Sequence, residues 1–132
     1  MTQDDQYMKP GVSTIYERVG GSAFFVELVE RFYQLVEDDP VLRPLYPEDL
    51  RPGKVHLAAF LAQLWGGPPQ YTLERGHPRL RQRHMSFHIG QDERDAWVAH
   101  MLSAVASMDI SLDEAALMTV YFKNTATLLM NR

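Results

Sequence analysis

Apolar positions recur along this chain at the three- and four-residue spacing of helices that bury one face. The pattern is sharpest at Phe24, Phe25, Leu28, Val29, Phe32, Tyr33 and Val36, which predicts a long helix carrying the Tyr33 hydroxyl inward. A shorter helix from Ser13 to Val19 precedes it, with Ile15, Tyr16 and Val19 on one side. Gly20-Gly21 separates the two, because glycine enters positive φ freely. Asp38-Asp39-Pro40 breaks the long helix, and Pro40 suits the first position of a short new one. Pro44, Pro47 and Pro52 then keep the chain irregular and set Tyr46 between two prolines. A third helix is expected from Pro52 to Trp65, apolar at Val55, Leu57, Ala58, Phe60, Leu61 and Leu64, and stopped by Gly66-Gly67-Pro68-Pro69.

Residues 70–78 read as loop, and Leu80 to Met85 as little more than one helical turn. A fourth long helix follows from Gln91 to Met108. Asp92, Glu93 and Asp95 sit at its positive end, and Trp97, Met101, Val105 and Met108 form its inward stripe, with Val98 and Leu102 beside them. Ser111 and Glu114 have the spacing of a capping box and open a last helix to Leu129, with Leu117, Tyr121 and Leu128 expected inward. No strand pattern survives. The expectation is an all-α fold with four substantial helices and a loop-rich middle.

Composition narrows the function classes more than the fold. The chain has 132 residues, enough for one domain with a real core. Residues 1–12 are polar, contain Pro10 and Gly11, and are expected to be a flexible N-terminal tail, which leaves 13–132 as the domain. A net charge of −4 gives no general reason to expect nucleic acid or an anionic membrane as partner. There are no cysteines, so disulfides, thiolate metal sites and thiol nucleophiles are excluded. The first residues lack the basic and apolar segments of a secretion signal, and no run is long and apolar enough to span a bilayer. A cytoplasmic location is the matching expectation.

The candidate chemistry gathers at Gly76 to Ile89, GHPRLRQRHMSFHI, which holds His77, His84, His88 and three arginines, with Arg75 just before it. His84 and His88 would share a face on a continuous helix and could chelate a metal, although Ser86, Phe87 and Gly90 argue against continuity. No carboxylate lies between Glu74 and Asp92 to complete a hydrolytic zinc site, and no nucleophile elbow of the GxSxG kind occurs. The arginines could form a phosphate-reading patch or a solvated turn, or grip one or two carboxylates. Haem reconciles these features, since it needs one imidazole on iron, an apolar slot and cations near its propionates. His84 would supply the first, Leu80, Phe87 and Ile89 would line the slot, and Arg83 or Arg79 would serve the last.

Several segments carry a family likeness: VGG (19–21), RFY (31–33), VLRPLYPEDL (41–50), WGGPPQY (65–71), GHPRLRQRH (76–84) and ERDAW (93–97). They resemble the second group of truncated haemoglobins, whose two-over-two α-helical sandwich has a loop-rich segment before the iron-binding histidine. The resemblance spans residues 14 to 130. It implies haem b (iron protoporphyrin IX) held by His84. It also implies Tyr33, Tyr46 and Trp97 as hydrogen-bond donors on the distal side. Leu57 takes the ligand-facing position, and Gly53 the place where longer globins keep a distal histidine. His56 stands where an arginine or lysine usually approaches a propionate, a departure that shifts that role toward Arg83 and Tyr71. Phe60 joins the haem contacts.

The same resemblance implies dioxygen as ligand, with nitric oxide, carbon monoxide and peroxide as related ones. Tyr33, Tyr46 and Trp97 would each contribute about 1–3 kcal/mol to a ligand that gains negative charge. Two good bonds would slow dioxygen release by a factor on the order of a hundred to ten thousand. Slow release suits retention for redox work, namely nitric oxide dioxygenation or peroxide reduction with an external reductase. The other class is a binding protein that stores, carries or senses dioxygen. The resemblance also admits a homodimer.

Overall fold

The computed structural model describes residues 13–132, so the segment expected to be a tail lies outside the described residues. Seven α-helices follow one another: α1 (Ile15–Val19), α2 (Ser22–Glu37), α3 (Arg51–Leu64), α4 (Gln70–Arg75), α5 (Leu80–His84), α6 (Gln91–Ala106) and α7 (Leu112–Leu128), with a 3₁₀ turn at Arg43–Leu45. No strand occurs among the described residues. Helix α2 packs against α3, α6 against α7, and α2 against α6. The result is two helical pairs laid one over the other. No helix of the described residues is long and apolar enough to cross a membrane.

The predicted stripe of α2 is the centre of the core. Phe25, Leu28, Phe32 and Val36 are fully buried, with Phe24, Val29 and Tyr33 beside them. Each of the large ones contributes roughly 1.5–3 kcal/mol by leaving water. Trp65 stacks on Phe25 and meets Phe122 edge-on, and Phe122 in turn touches Trp97. This aromatic chain links α2, the end of α3, α6 and α7.

Polar side chains fix how the helices end. Gly20 ends α1 in the left-handed region at φ 113, as its sequence position predicts. Arg31 of α2 donates to the Ser107 carbonyl at 2.6 Å, placing a cation at the negative end of α6. His100 of α6 meets Asp39 at 2.5 Å, tying that helix to the corner after α2. The His100 hydrogen bond, then the Val41 N–H, hold the Asp39 carboxyl below the usual carboxylate range.

Five expectations need correction. Pro40 does not open a helix: Asp39 accepts from the Val41 N–H at 2.7 Å and makes a turn, and the 3₁₀ segment starts at Arg43 around Pro44. Residues 70–75, expected as loop, form α4. The Gln63 side chain satisfies the Thr72 N–H at 2.9 Å, a tertiary partner that local sequence does not reveal. Helix α7 buries Met118, Phe122 and Ala126, while Leu117 and Leu128 are 52% and 65% exposed. The pull of Phe122 into the aromatic chain sets that rotation. Val55 and Leu64 likewise face outward on α3, whose core contacts are Ala58, Leu61 and Ala62. At α7 only half of the capping box forms: Ser111 accepts from the Glu114 N–H, and Glu114 turns to Arg18 instead.

Candidate functional site

An apolar cleft opens between α3, α5, α6, α7 and the Leu42–Pro47 loop. Leu57 and Phe60 line it from α3, Leu80 and His84 from α5, Phe87 and Ile89 from the following loop, Trp97 from α6, and Tyr46 from the proline-rich loop. Eight of the residues singled out in the sequence therefore meet in one place. Helix α7 adds Tyr121, Phe122, Thr125 and Ala126, Leu129 follows just after it, and α6 adds Glu93 and Arg94, none of which sequence reasoning placed in the site.

His84 is the last residue of α5, four after Leu80, so one helical turn brings the ring over that residue's carbonyl. Nδ1 lies 2.6 Å from the Leu80 oxygen. A carbonyl only accepts, so Nδ1 carries a proton, and in the neutral imidazole Nε2 is the nitrogen that keeps its lone pair. His88, the other half of the candidate chelate, is exposed and lies near Gly90, beyond the break after α5. Among the described residues, no three His, Asp or Glu side chains converge on a point that could hold a metal ion.

Across the cleft, burial and then the neighbouring Tyr33 phenol push the Tyr46 hydroxyl up, partly offset by the Trp97 side chain. Tyr33 stands behind Tyr46, with ring centroids 5.6 Å apart in an edge contact. It is only 4% exposed, and burial pushes its hydroxyl up to about 12. That hydroxyl abuts Gly53, where a Cβ would lie 2.7 Å from the oxygen. A side chain at 53 would force the tyrosine or α3 to shift. Trp97 is held edge-on by Phe32, with centroids 5.2 Å apart.

Two polar residues outside the candidate set shape these walls. Arg43 donates to the carbonyls of Tyr46 (3.2 Å), Pro47 (3.0 Å) and Glu48 (3.1 Å), so its guanidinium wraps the loop that presents Tyr46. On the other side, the Asn131 side chain donates to the carbonyls of His84 (3.1 Å) and Phe87 (2.8 Å). Its backbone N–H reaches Ile89 O at 2.8 Å, and its side-chain oxygen accepts from the Ile89 N–H at 3.0 Å. Neither role has a sequence pattern, because both act on backbone carbonyls.

The rim is basic. Arg75 approaches the His56 ring at 3.4 Å, and its guanidinium lies over the Tyr71 ring. Burial first, then Arg75 and Arg83, hold His56 below its usual range, partly offset by Glu74. Tyr71 is buried edge-on against Phe60 and does not line the cleft. Arg83 donates to Pro78 O at 2.7 Å and Arg75 O at 3.2 Å, so much of its guanidinium is committed to holding the loop.

The arrangement fits an iron porphyrin better than a bare ion. It offers one imidazole nitrogen, apolar walls on both sides of a slot, and arginines in the segment that carries the imidazole. Residues 14–131 match the model of the bacterial-like globin family. A group 2 truncated haemoglobin of Bacillus subtilis is 42% identical over 68% of this chain and 67% of its own. The chain belongs to the group II truncated haemoglobins. A group 2 truncated haemoglobin of Lotus japonicus is 32% identical over 86% of the chain and 70% of its own length. The crystal structure of a haemoglobin from Chloroflexus aurantiacus superimposes with a TM-score of 0.90 at 50% identity, covering 92% of this chain and all of that one. An oxygen-avid truncated haemoglobin of Bacillus subtilis gives 0.85 at 34% identity, over 90% of this chain and all of that one. Truncated haemoglobins are haem proteins that bind dioxygen, and the two-over-two sandwich of this chain is theirs.

Proposed function

We propose that residues 13–132 act as one domain that binds haem b through His84 Nε2 and retains dioxygen against Tyr46, Trp97 and Tyr33. The observation that carries this reading is the His84–Leu80 hydrogen bond, which leaves Nε2 free in an apolar cleft that also holds Tyr46 and Trp97. When bound, haem supplies an iron whose open position takes dioxygen or another diatomic ligand. The chain supplies the rest. Tyr46 O–H and Trp97 N–H are donors in a dry cleft, and Tyr33 braces Tyr46 from behind. Nitric oxide and carbon monoxide would enter the same space. They gain less negative charge than dioxygen, so the donors favour dioxygen most.

Arg75 and His56 are the rim residues best placed for the propionates, with Tyr71 supporting Phe60 and Arg83 supporting the loop. Leu57, Phe60, Leu80, Phe87 and Ile89 would sandwich the porphyrin.

A second reading, redox turnover of nitric oxide or peroxide with an external reductase, is favoured by the donor set, since strong retention suits reaction better than delivery. The Leu80 carbonyl behind His84 makes a dedicated peroxidase the weaker form of it, because a carboxylate there would be needed to push electrons toward iron. The experiment has two parts. The purified protein should show a Soret band that His84→Ala abolishes; its absence would end the haem reading. Dioxygen release and the reaction of the dioxygen-loaded protein with nitric oxide then separate the classes. Slow release with nitrate formed supports the enzyme, and fast release without nitrate supports a carrier.

A further inference from the structure

We propose that the exposed arginine-rich segment from Arg75 to Arg83, which supplies Leu80 to the cleft wall, is a docking surface for a small acidic electron-carrier protein. This rests on the redox reading above, in which turnover draws electrons from outside the chain. It is carried by a charge asymmetry that haem binding does not use up.

Residues 51–90 contain six Lys or Arg and one acid, Glu74, a net of +5; the remaining residues contain seven and sixteen, a net of −9. A protein acidic overall thus concentrates its positive charge on the segment that borders its cleft. Within that segment Arg51 pairs with Asp49 at 2.9 Å and Lys54 with Glu30 at 3.1 Å. The other ion pairs among the described residues involve Arg18, Arg31, Arg94 and His100. Arg75, Arg79, Arg81 and Arg83 therefore form no ion pair with a carboxylate of the described residues. Two propionates would engage Arg75 and His56, and Arg83 already holds the loop. Arg79 and Arg81 remain exposed and surplus.

Arg79 adds an independent observation. It is the one residue other than glycine at positive φ among the described residues, at φ 45 and ψ 51. The His77 ring accepts its backbone N–H at 3.1 Å and holds it there. Glycine would take this conformation without strain, so an arginine here points to a use for the side chain.

The shape of the asymmetry selects the partner. A nucleic acid or a membrane presents negative charge far beyond such a patch and would meet the −9 remainder of the chain. A compact acidic face on a small protein matches the patch and avoids the rest. Attraction between exposed charges is screened by salt, which gives the interaction a signature.

The test uses the full chain with haem bound, confirmed by its Soret band, and flavodoxin as the acidic carrier. Isothermal titration at low and at physiological salt should show binding that weakens about tenfold or more across the range. Arg81→Glu should weaken it about fivefold at low salt, whereas Asp113→Lys on the far helix should not weaken it. Arg79→Gly should raise the melting temperature and weaken binding together; a higher melting temperature with unchanged binding would mark Arg79 as strained without purpose and overturn its part. No salt-dependent binding, or binding indifferent to Arg81→Glu, overturns the docking surface. So does tighter Arg81-dependent binding to single-stranded DNA or to phosphatidylglycerol vesicles. A missing Soret band would instead sink the haem reading, and the two failures are told apart before the titration begins.

Discussion

The side-chain amide of Asn131, two residues from the end of the sequence, donates to the carbonyl oxygen of His84 at 3.1 Å and to that of Phe87 at 2.8 Å. Both carbonyls lie at or after the end of a five-residue helix too short to hold its own position, where the His84 carbonyl also accepts from the Phe87 N–H at 3.1 Å. Asn131 adds a donor to each and, through Ile89, pins the loop on which the His84 wall depends.

Asn131→Ala should therefore lower stability by about 0.5–1.5 kcal/mol, because the Phe87 carbonyl loses its side-chain partner and that of His84 keeps only the Phe87 N–H. Haem transfer to an excess of apomyoglobin should speed up several-fold. The iron–histidine stretching band in resonance Raman spectra should shift or broaden. Lower stability with an unchanged band would leave Asn131 a structural tie with no hold on His84.

Much of this wall was legible in the sequence, and much of its support was not. His84, Tyr46 and Trp97 stand in segments whose residues carry the family likeness, and one cleft contains all three. The stripe of α2 was legible because seven apolar positions repeat with helical spacing and all seven are buried. Helix α7 was misread by one position because its Leu117 and Met118 make adjacent, equally apolar stripes, and only Phe122 meeting Trp65 and Trp97 chooses between them. Helix α4 depends on Gln63, a partner on another helix. Arg43 and Asn131 bind backbone carbonyls, which any sequence provides.

A conflict between Gly53 and the Tyr33 hydroxyl is testable by pairing two substitutions. Gly53→Ala places a methyl group 2.7 Å from that oxygen, closer than packing tolerates, so Tyr33 or α3 must shift. The single variant should lose roughly 1–3 kcal/mol of stability. Tyr33→Phe removes the clashing atom, so the double variant should be less destabilised than the two singles summed. Strict additivity, measured by denaturant unfolding, would show that Gly53 serves the backbone and not the tyrosine.

Burial sets a pH window for Tyr33. Its folded pKa, pushed up to about 12 from 10.0, lies above the unfolded value. The stability this contributes is fully present below pH 10 and is lost as pH rises from there toward about 12. Tyr33→Phe has no such proton to lose and should unfold less steeply with alkali than the parent chain. Tyr46 is pushed up in the same direction, so both hydroxyls should remain donors throughout the neutral range. Dioxygen release, followed by stopped flow, should then be flat from about pH 6 to 9 in the parent chain. It should rise in Tyr46→Phe and Trp97→Phe, and in Tyr33→Phe to the extent that Tyr33 braces Tyr46. A release rate unchanged by any one of these substitutions removes that residue from the donor set.

Arg43 lies outside the cleft lining, yet three carbonyls of the Tyr46 loop depend on its guanidinium. A lysine offers one rotating ammonium in place of a planar fork and cannot reach the same three acceptors together. Arg43→Lys should therefore keep the charge and lose the loop geometry. Dioxygen should leave about two- to tenfold faster, a loss of up to about 1.4 kcal/mol of ligand stabilisation, while Soret absorbance and the iron–histidine band stay in place. That split is the useful part, because Asn131→Ala and Arg43→Lys act on opposite walls. The first should move the His84 signature, and the second should move ligand release with His84 undisturbed. If Arg43→Lys shifts both readouts, the two walls are coupled through the Leu42–Pro47 loop and Tyr46 is not positioned by Arg43 alone.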